Sequence, residues 1–271
     1  MTKLDRLLRE IQIRGVVSQA ELQELGEKVL DRTPLEYRYL YTEYISKLIE
    51  RGDIARPRRG LYVATWERGS DGSSRLADRY TIASKVRDDY YLGFHTALEL
   101  HGCAYSWFNS VTVCLRPGTQ FRSFEFQGTT YNPALTSMPR LGTEVIDRNG
   151  HRVTVSNPSR TFVDCLDRPR LAGGWEEVLK SLEGLPGVLG EELVSILQAF
   201  GKKVLFRKAG RVLELLGTNM YYEGVLESVE DELKERSEGQ PFYMDRRSPG
   251  PLNEQWNIYD IPGLQRILEG I

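Results

Sequence analysis

Apolar residues near the amino terminus recur at intervals of three and four positions, which is the spacing of an amphipathic helix. A first stripe, ended by Gly15, consists of Leu4, Leu7, Leu8 and Ile11. Ser18 is then followed three positions later by Glu21, which is the pattern of a capping box. The sequence therefore predicts a first helix up to Gly15 and a second helix that begins after Ser18.

A third helix is predicted where Thr33 is followed by Pro34, because proline is favoured at the first helical position. The preceding stretch, 24–34, is long for the connection in a compact DNA-binding motif. The apolar stripe of the third helix, which Gly52 ends, consists of Tyr37, Leu40, Tyr44 and Leu48.

A basic hairpin is predicted directly after this helix. Ile54 precedes the segment 56–60 (Arg-Pro-Arg-Arg-Gly), and Leu61 and Val63 follow it in alternation, which is typical of two strands joined by a tight turn. Three helices followed by a two-stranded ribbon is the order of a winged helix-turn-helix. We therefore assign residues 1–66 to such a domain.

The rest of the chain mixes strand and helix patterns. Residues 67–79 are rich in Gly, Ser and charge and are interpreted as a linker, and residues 80–271 as a second domain. Predicted strands lie at 111–116, 121–126, 143–147 and 151–155, Asn149-Gly150 marks a hairpin turn, and helices dominate from residue 174 to 233. The predicted fold class is α+β, with a helical carboxyl-terminal half.

Composition indicates the cellular compartment of the protein more clearly than its activity. The chain has 271 residues, 27% of them charged, and a formal net charge of −2, so any nucleic-acid contact must depend on local charge. Three cysteines without a paired framework favour a reducing compartment. No apolar run resembles a signal peptide or a membrane span, and we expect a cytoplasmic protein.

Local positive charge is concentrated on the third helix and the hairpin. The candidate DNA-binding residues are Arg38, Tyr41, Thr42, Lys47, Arg56, Arg58 and Arg59. Glu36, Glu43 and Glu50 lie on the same helix and would repel phosphate, so the expected contact surface is narrow. A solvated charged face, or a winged helix that contacts protein, remains the alternative to DNA binding.

Several longer stretches resemble the AbiEi family, the antitoxins and transcriptional regulators of type IV toxin–antitoxin systems. These stretches are 48–63, 91–102 and 153–182, with a weaker match at 202–217. The resemblance implies a winged helix that represses its own operon and a second domain that counters a nucleotidyltransferase-like toxin of the AbiEii family. Antagonism in that family need not involve a stable complex, and a stand-alone regulator of the same family remains open.

Candidate surface residues of the second domain are His95, Arg160, Asp164, Lys202, Lys203 and Arg207. Arg160 and Asp164 are four positions apart and can form an ion pair on one helical turn. The alternatives are a capped helix start for 157–164 and a solvated basic face for the helix at 202–216.

Catalytic and metal-binding motifs are not found in the sequence. The histidines and cysteines lack the paired spacing of a zinc site, and we expect no metal, no cofactor and no enzyme activity. An enzyme with a cleft around His95 and Arg160 stays open as a rival interpretation. The favoured one is an autorepressing antitoxin that binds an inverted-repeat operator in duplex DNA, as two copies, with a protein-interaction module as the alternative.

Overall fold

The computed structural model describes residues 1–68, 74–75, 77–235 and 239–269, which form a mixed α/β fold as the sequence predicts. Part of the predicted linker, residues 69–73 and 76, lies outside the described residues. On either side of that gap, β4 (Glu67–Arg68) pairs with β5 (Ser74–Arg75) in antiparallel orientation. No helix in the described part of the chain has both the length and the apolar character needed to cross a membrane.

The amino-terminal region combines helices with a three-stranded antiparallel sheet of order β1-β3-β2. Its elements are α1 (Lys3–Arg14), β1 (Val16–Ser18), α2 (Gln19–Leu30), α3 (Tyr37–Leu40), a π-helical turn (Tyr41–Ile45), α4 (Ser46–Glu50), β2 (Ile54–Arg58) and β3 (Leu61–Ala64). The predicted capping box is confirmed, because the Glu21 N–H donates to Ser18 Oγ and the Ser18 N–H donates to the Glu21 carboxylate.

The third helix begins at Tyr37, and its predicted start at Thr33-Pro34 is wrong. The reason is a pair of hydrogen bonds from α2 that fix the connecting loop. The Gln23 side chain donates to the Leu35 carbonyl at 2.8 Å, and the Leu35 N–H donates to Glu27 Oε1 at 3.0 Å. Since α2 extends to Leu30, only residues 31–36 connect the two helices, and the connection is shorter than expected.

A π-helical turn in the middle of the run 37–50 changes which residues face the core. The buried positions are Leu40, Ile45 and Leu48, whereas Tyr44 is only partly buried. A π turn contains one residue more than an α turn, so the buried position after Leu40 moves from Tyr44 to Ile45. π turns inside helices frequently occur at functional sites.

The second region contains a six-stranded mixed sheet of order β10-β11-β6-β7-β9-β8. Its strands are β6 (Tyr90–Leu92), β7 (Ser110–Leu115), β8 (Phe124–Phe126), β9 (Thr129–Leu135), β10 (Thr143–Arg148) and β11 (His151–Ser156). The predicted hairpin at Asn149-Gly150 joins β10 and β11, and both turn residues have positive φ. The pattern did not predict β6 or β9, and the predicted strand 121–126 begins only at Phe124.

Helices cover this sheet, and a small three-stranded sheet of order β12-β14-β13 lies near the carboxyl end. The helices are α5 (Arg79–Ser84), α6 (His95–Leu100), α7 (Pro158–Asp167), a 3₁₀ helix (Pro169–Ala172), α8 (Trp175–Glu183), α9 (Gly190–Phe200), α10 (Lys203–Leu216), α11 (Val225–Glu235) and α12 (Leu264–Glu269). The small sheet consists of β12 (Phe242–Tyr243), β13 (Leu252–Asn253) and β14 (Ile258–Tyr259).

Alternate residues of β7 enter different hydrophobic clusters on the two faces of the large sheet. Cys114 faces the cluster formed with the carboxyl-terminal helices. Val113 faces a second cluster, which also contains Leu61 and Val63 of the amino-terminal sheet. The amino-terminal sheet therefore shares a hydrophobic core with the second region, and the hairpin of β2 and β3 is held against it.

Candidate nucleic-acid interface

The run 37–50 presents one exposed face. Its exposed residues are Arg38, Tyr39, Thr42, Glu43, Lys47 and Glu50. Three of the four helix residues predicted to bind DNA, Arg38, Thr42 and Lys47, are thus exposed together, while Tyr41 is half-buried. This face offers hydrogen-bond donors of the kinds that contact phosphates and base edges.

Tyr41 and Arg56 join the helix to the hairpin. Arg56 Nη1 donates to the Tyr41 hydroxyl at 3.3 Å, and the guanidinium lies 5.2 Å from the centre of the Tyr41 ring. Arg56 is exposed and lies in β2 itself, because the turn of the hairpin contains only Arg59 and Gly60. The structure therefore brings a hairpin cation next to the exposed helix face.

A pair of tyrosines, Tyr37 and Tyr62, supports this contact from beneath. Tyr62 of β3 is fully buried, its hydroxyl contacts that of Tyr37, and the Arg56 guanidinium lies 5.7 Å from its ring centre. Burial, together with the neighbouring Tyr37 hydroxyl, raises the pKa of Tyr62 above its usual value. Tyr62 therefore remains a neutral phenol that holds the helix start and the hairpin in register.

Arg58 is directed towards the second region rather than towards solvent. Its guanidinium lies 5.0 Å from the Phe121 ring centre and 5.6 Å from that of Phe124, and the side chain is half-buried. Burial, followed by the repulsion of Arg87, lowers the pKa of Arg58. Arg58 thus differs from the exposed tip residue that the sequence predicts, because aromatic residues of β8 and the preceding loop cover it. Arg59, in the turn, is exposed as expected.

Carboxylates interrupt the positive surface of the helix. Glu36, Glu43 and Glu50 are all exposed, and Lys47 Nζ lies 3.4 Å from Glu43 Oε2. This ion pair partly compensates the charge of Lys47. Arg38, Arg56 and Arg59, by contrast, are exposed cations that form no ion pair with any residue the structure describes.

One residue of this surface, Arg32, is not among the candidates predicted from the sequence. It is exposed in the loop after α2, and its guanidinium lies 4.7 Å from the centre of the exposed Tyr39 ring. The position of Arg32 depends on how the loop 31–36 folds back towards the helix. The basic character of the segment is visible in the sequence, but its proximity to Tyr39 is not.

In the second region, Arg160 and Asp164 are buried, and their expected location on the surface is wrong. Arg160 Nε donates to Asp164 Oδ1 at 2.8 Å, which confirms the expected pairing on one helical turn. Arg160 also donates to the Tyr91 hydroxyl and to the Leu141 carbonyl. Burial raises the pKa of Asp164, and the Arg160 guanidinium opposes this shift. The cluster connects α7 to β6 and to the loop before β10.

His95 is also buried, in a separate polar network, and its expected exposure is wrong. Its Nε2 lies 3.1 Å from Glu177 Oε1 and its Nδ1 lies 3.4 Å from Glu99 Oε1, while the ring stacks on Phe108. Burial favours the neutral acid, but hydrogen bonds from the side chain and from the backbone N–H of Ser106 lower the pKa of Glu177. His95 and Arg160 therefore do not form the shared surface cleft of the enzyme interpretation.

The remaining candidate surface residues lie on or just before helix α10, and they differ in exposure. Arg207 is fully buried and donates to the carbonyls of Gln240 and Asn257, so its expected place on the surface is wrong. Lys202 and Lys203 are exposed at the start of this helix, and Lys202 pairs with Asp167 at 2.6 Å. Only these two lysines retain the predicted surface position.

The three cysteines are buried free thiols. Burial raises the pKa of Cys103 to about 12, and burial likewise raises the pKa of Cys114 and that of Cys165 above the usual range. Such thiols pack as small apolar groups. Within the described ranges no group of three or more His, Cys, Asp or Glu residues could hold a metal ion.

Comparison with known proteins supports the fold. No protein-family model matches the chain, and no curated protein matches it. In fold, the chain is similar to the crystal structure of the RV2827C protein from Mycobacterium tuberculosis, with a TM-score of 0.65 and 13% sequence identity. The similarity covers 100% of this chain and 94% of that one, so the two proteins share an overall fold along their length.

Proposed function

We propose that residues 1–66 form a winged helix-turn-helix that binds duplex DNA and that the protein is a transcriptional regulator. The observation that carries the proposal is the contact between Arg56 and Tyr41, which brings the hairpin cation beside the exposed face of the third helix. The order of elements also supports the proposal, because a winged helix has the succession seen here: α1, β1, α2, the run 37–50, β2 and β3.

The distribution of charge supports a small contact area. Arg38 and Arg59 are exposed and form no ion pair with any described residue, so their charges are available to phosphate. Glu43 in the middle and Glu50 at the end of the run 37–50 would repel phosphate, which favours a contact through the amino-terminal half of the run and the hairpin turn. Because one such surface covers a short site, we propose that two copies bind an inverted repeat.

The test is a mobility-shift assay at physiological salt with the DNA upstream of the protein's own gene. We expect a shift with this DNA and a much weaker one with a scrambled sequence of the same composition. The variant Arg38→Gln should weaken the shift, while Arg152→Gln, an exposed arginine on β11, should leave it unchanged. Equal binding of both DNAs would contradict an operator-specific regulator.

The resemblance to the AbiEi family extends the proposal to an antitoxin role. In this proposal the second region counters a nucleotidyltransferase-like toxin, and the amino-terminal region represses the operon that encodes both. Coexpression with a nucleotidyltransferase-like product of a neighbouring gene would test this role. The proposal assigns the antagonism of the toxin to residues 77–271. If the full chain and its Arg38→Gln variant rescue growth equally well, antagonism of the toxin does not depend on DNA binding.

A protein-interaction module is the second candidate function, and two exposed aromatic side chains favour it. Trp107 is 70% exposed and Tyr105 is 59% exposed, both in the loop between α6 and β7. Exposed aromatic residues are enriched at protein interfaces. A stable complex with the neighbouring gene product that Trp107→Ser disrupts, without any DNA shift, would favour this function over DNA binding.

A further inference from the structure

A cavity of about 590 Å³ lies between the end of α7, the 3₁₀ helix, α10 and the segment 242–247. Its volume falls in the range of sites for small ligands. Five cationic side chains line it, Arg168, Arg170, Lys208, Arg246 and Arg247. Only two carboxylates, those of Asp167 and Asp245, lie among them, so the lining carries a clear excess of positive charge.

Lys208 is the deepest of these cations. It is 7% exposed, its Nζ donates to the Leu166 carbonyl at 2.9 Å, and this nitrogen lies 5.0 Å from the centre of the Trp175 ring. Among the residues that the structure describes, no carboxylate forms an ion pair with it. Burial lowers the pKa of Lys208 to about 8, and the nearby carboxylates of Asp167 and Asp245 only partly oppose this shift. A buried ammonium group with one carbonyl partner would be stabilised by an anion in the cavity.

The two carboxylates of the lining already have partners. Asp167 pairs with Lys202 at 2.6 Å, and Asp245 accepts a hydrogen bond from the Arg247 N–H at 2.9 Å. In the described part of the chain neither carboxylate forms an ion pair with Arg170 or Arg246, which are exposed at the edge of the cavity. Guanidinium groups in this position suit the oxygen atoms of a phosphate.

The remaining lining is largely apolar and aromatic. Trp175 and Met244 are buried, and Leu171, Val204 and Phe242 complete this side. Inorganic phosphate would leave this surface uncovered, and an uncharged aromatic ligand would leave the cations without a partner. The cavity is therefore matched by a molecule that joins a planar ring to an anion.

We propose that this cavity binds a nucleotide, whose phosphates contact Lys208 and the edge arginines and whose base packs against Trp175 and Phe242. The site is distant in sequence from the proposed DNA-binding residues and does not depend on them. It gives the second region a ligand-binding role in addition to any antagonism of a toxin.

Isothermal titration of the full chain with ADP and GDP, and separately with adenosine and inorganic phosphate, tests this site. We expect at least one of the two nucleotides to bind at least ten-fold more tightly than adenosine or phosphate. Lys208→Met and the double variant Arg246→Gln/Arg247→Gln should each weaken that binding by about ten- to a hundred-fold. Arg152→Gln serves as the matched control on β11 and should bind normally.

The double variant changes only exposed residues of a turn, so the test stands even if Lys208→Met impairs folding. A second measurement is labelling of Lys208 by an amine-reactive reagent at pH 8, which the bound nucleotide should block. Absence of binding by both nucleotides, equal binding of adenosine, or binding that both variants leave unchanged would each overturn the proposal.

Discussion

Arg56 donates a hydrogen bond to the Tyr41 hydroxyl at 3.3 Å and places its guanidinium 5.2 Å from the Tyr41 ring centre. One residue belongs to β2 and the other to the π-helical turn of the run 37–50. This contact defines the relation between the hairpin and the helix on which the proposed DNA interface depends.

Replacing Arg56 and Arg59 together with glutamine should weaken binding to duplex DNA regardless of sequence. Each phosphate contact that is lost removes about 0.9 from the slope of log binding constant against log salt concentration, so the slope should decrease by about two. Fluorescence anisotropy at several salt concentrations measures it. An unchanged slope would remove the hairpin from the interface.

Arg58→Ala should affect stability more than DNA binding. Its guanidinium lies over Phe121 and Phe124, and loss of these contacts should lower the free energy of unfolding by about 1 kcal/mol. Chemical denaturation measures the change, and the salt slope should remain that of the unchanged protein. A slope lower by about one would instead assign Arg58 to a phosphate contact.

Arg160→Met should destabilise the fold strongly. The substitution leaves the buried Asp164 without its ion-pair partner, which typically costs about 3–5 kcal/mol. The double variant Arg160→Met/Asp164→Leu removes the unpaired charge and should recover part of the loss. Urea denaturation of both variants checks the prediction, which fails if the single variant is no less stable than the double one.

Two glycines of the same helical region should respond differently to alanine. A methyl group at Gly210 would overlap the Trp256 ring, and this overpacking should cost about 1–3 kcal/mol or more. At Gly217 the added methyl meets only ordinary contacts, so Gly217→Ala should be nearly neutral. Thermal denaturation of the two variants compares a close approach between α10 and the carboxyl-terminal segment with a position that has room for a methyl group.

The stability of the protein should increase with pH through the titration of Lys208. Its pKa is about 8 in the folded chain and 10.5 in the unfolded one, so the unfolded state binds more protons between these values. The free energy of unfolding therefore rises across this window, by at most about 3 kcal/mol relative to Lys208→Met. This contribution is isolated by denaturing the unsubstituted protein and Lys208→Met at a series of pH values from 7 to 10.5. Parallel curves of unfolding free energy against pH would exclude it.

Several local signals in the sequence predicted local structure correctly, whereas the expected helix start at Thr33-Pro34 was wrong. The capping box at Ser18 and Glu21, the hairpin at Asn149-Gly150 and the Asn157 cap before Pro158 all appear in the structure. Each depends on hydrogen bonds or backbone conformations within a few residues. Such features form from neighbours in the chain, so the pattern of residues is sufficient to predict them.

Features that depend on distant partners were not predictable in this way. β9 contains Pro133, which argues against a central strand, yet the strand pairs with both β7 and β8. Burial of His95 and Arg160 depends on carboxylates and carbonyls supplied by other elements. The sequence does not distinguish a charged residue that is exposed to solvent from one that is buried and fully hydrogen-bonded.

By itself, the sequence determined the capping box at Ser18, the hairpin at Asn149-Gly150, the mixed α/β class and the concentration of arginines around the hairpin of β2 and β3. Only the tertiary structure decided which of these arginines face solvent, since Arg58 packs on Phe121 whereas Arg56 and Arg59 stay exposed. The physical reason is that periodicity and capping act over a few residues, whereas the exposure of a cation is set by whatever distant side chains fold against it.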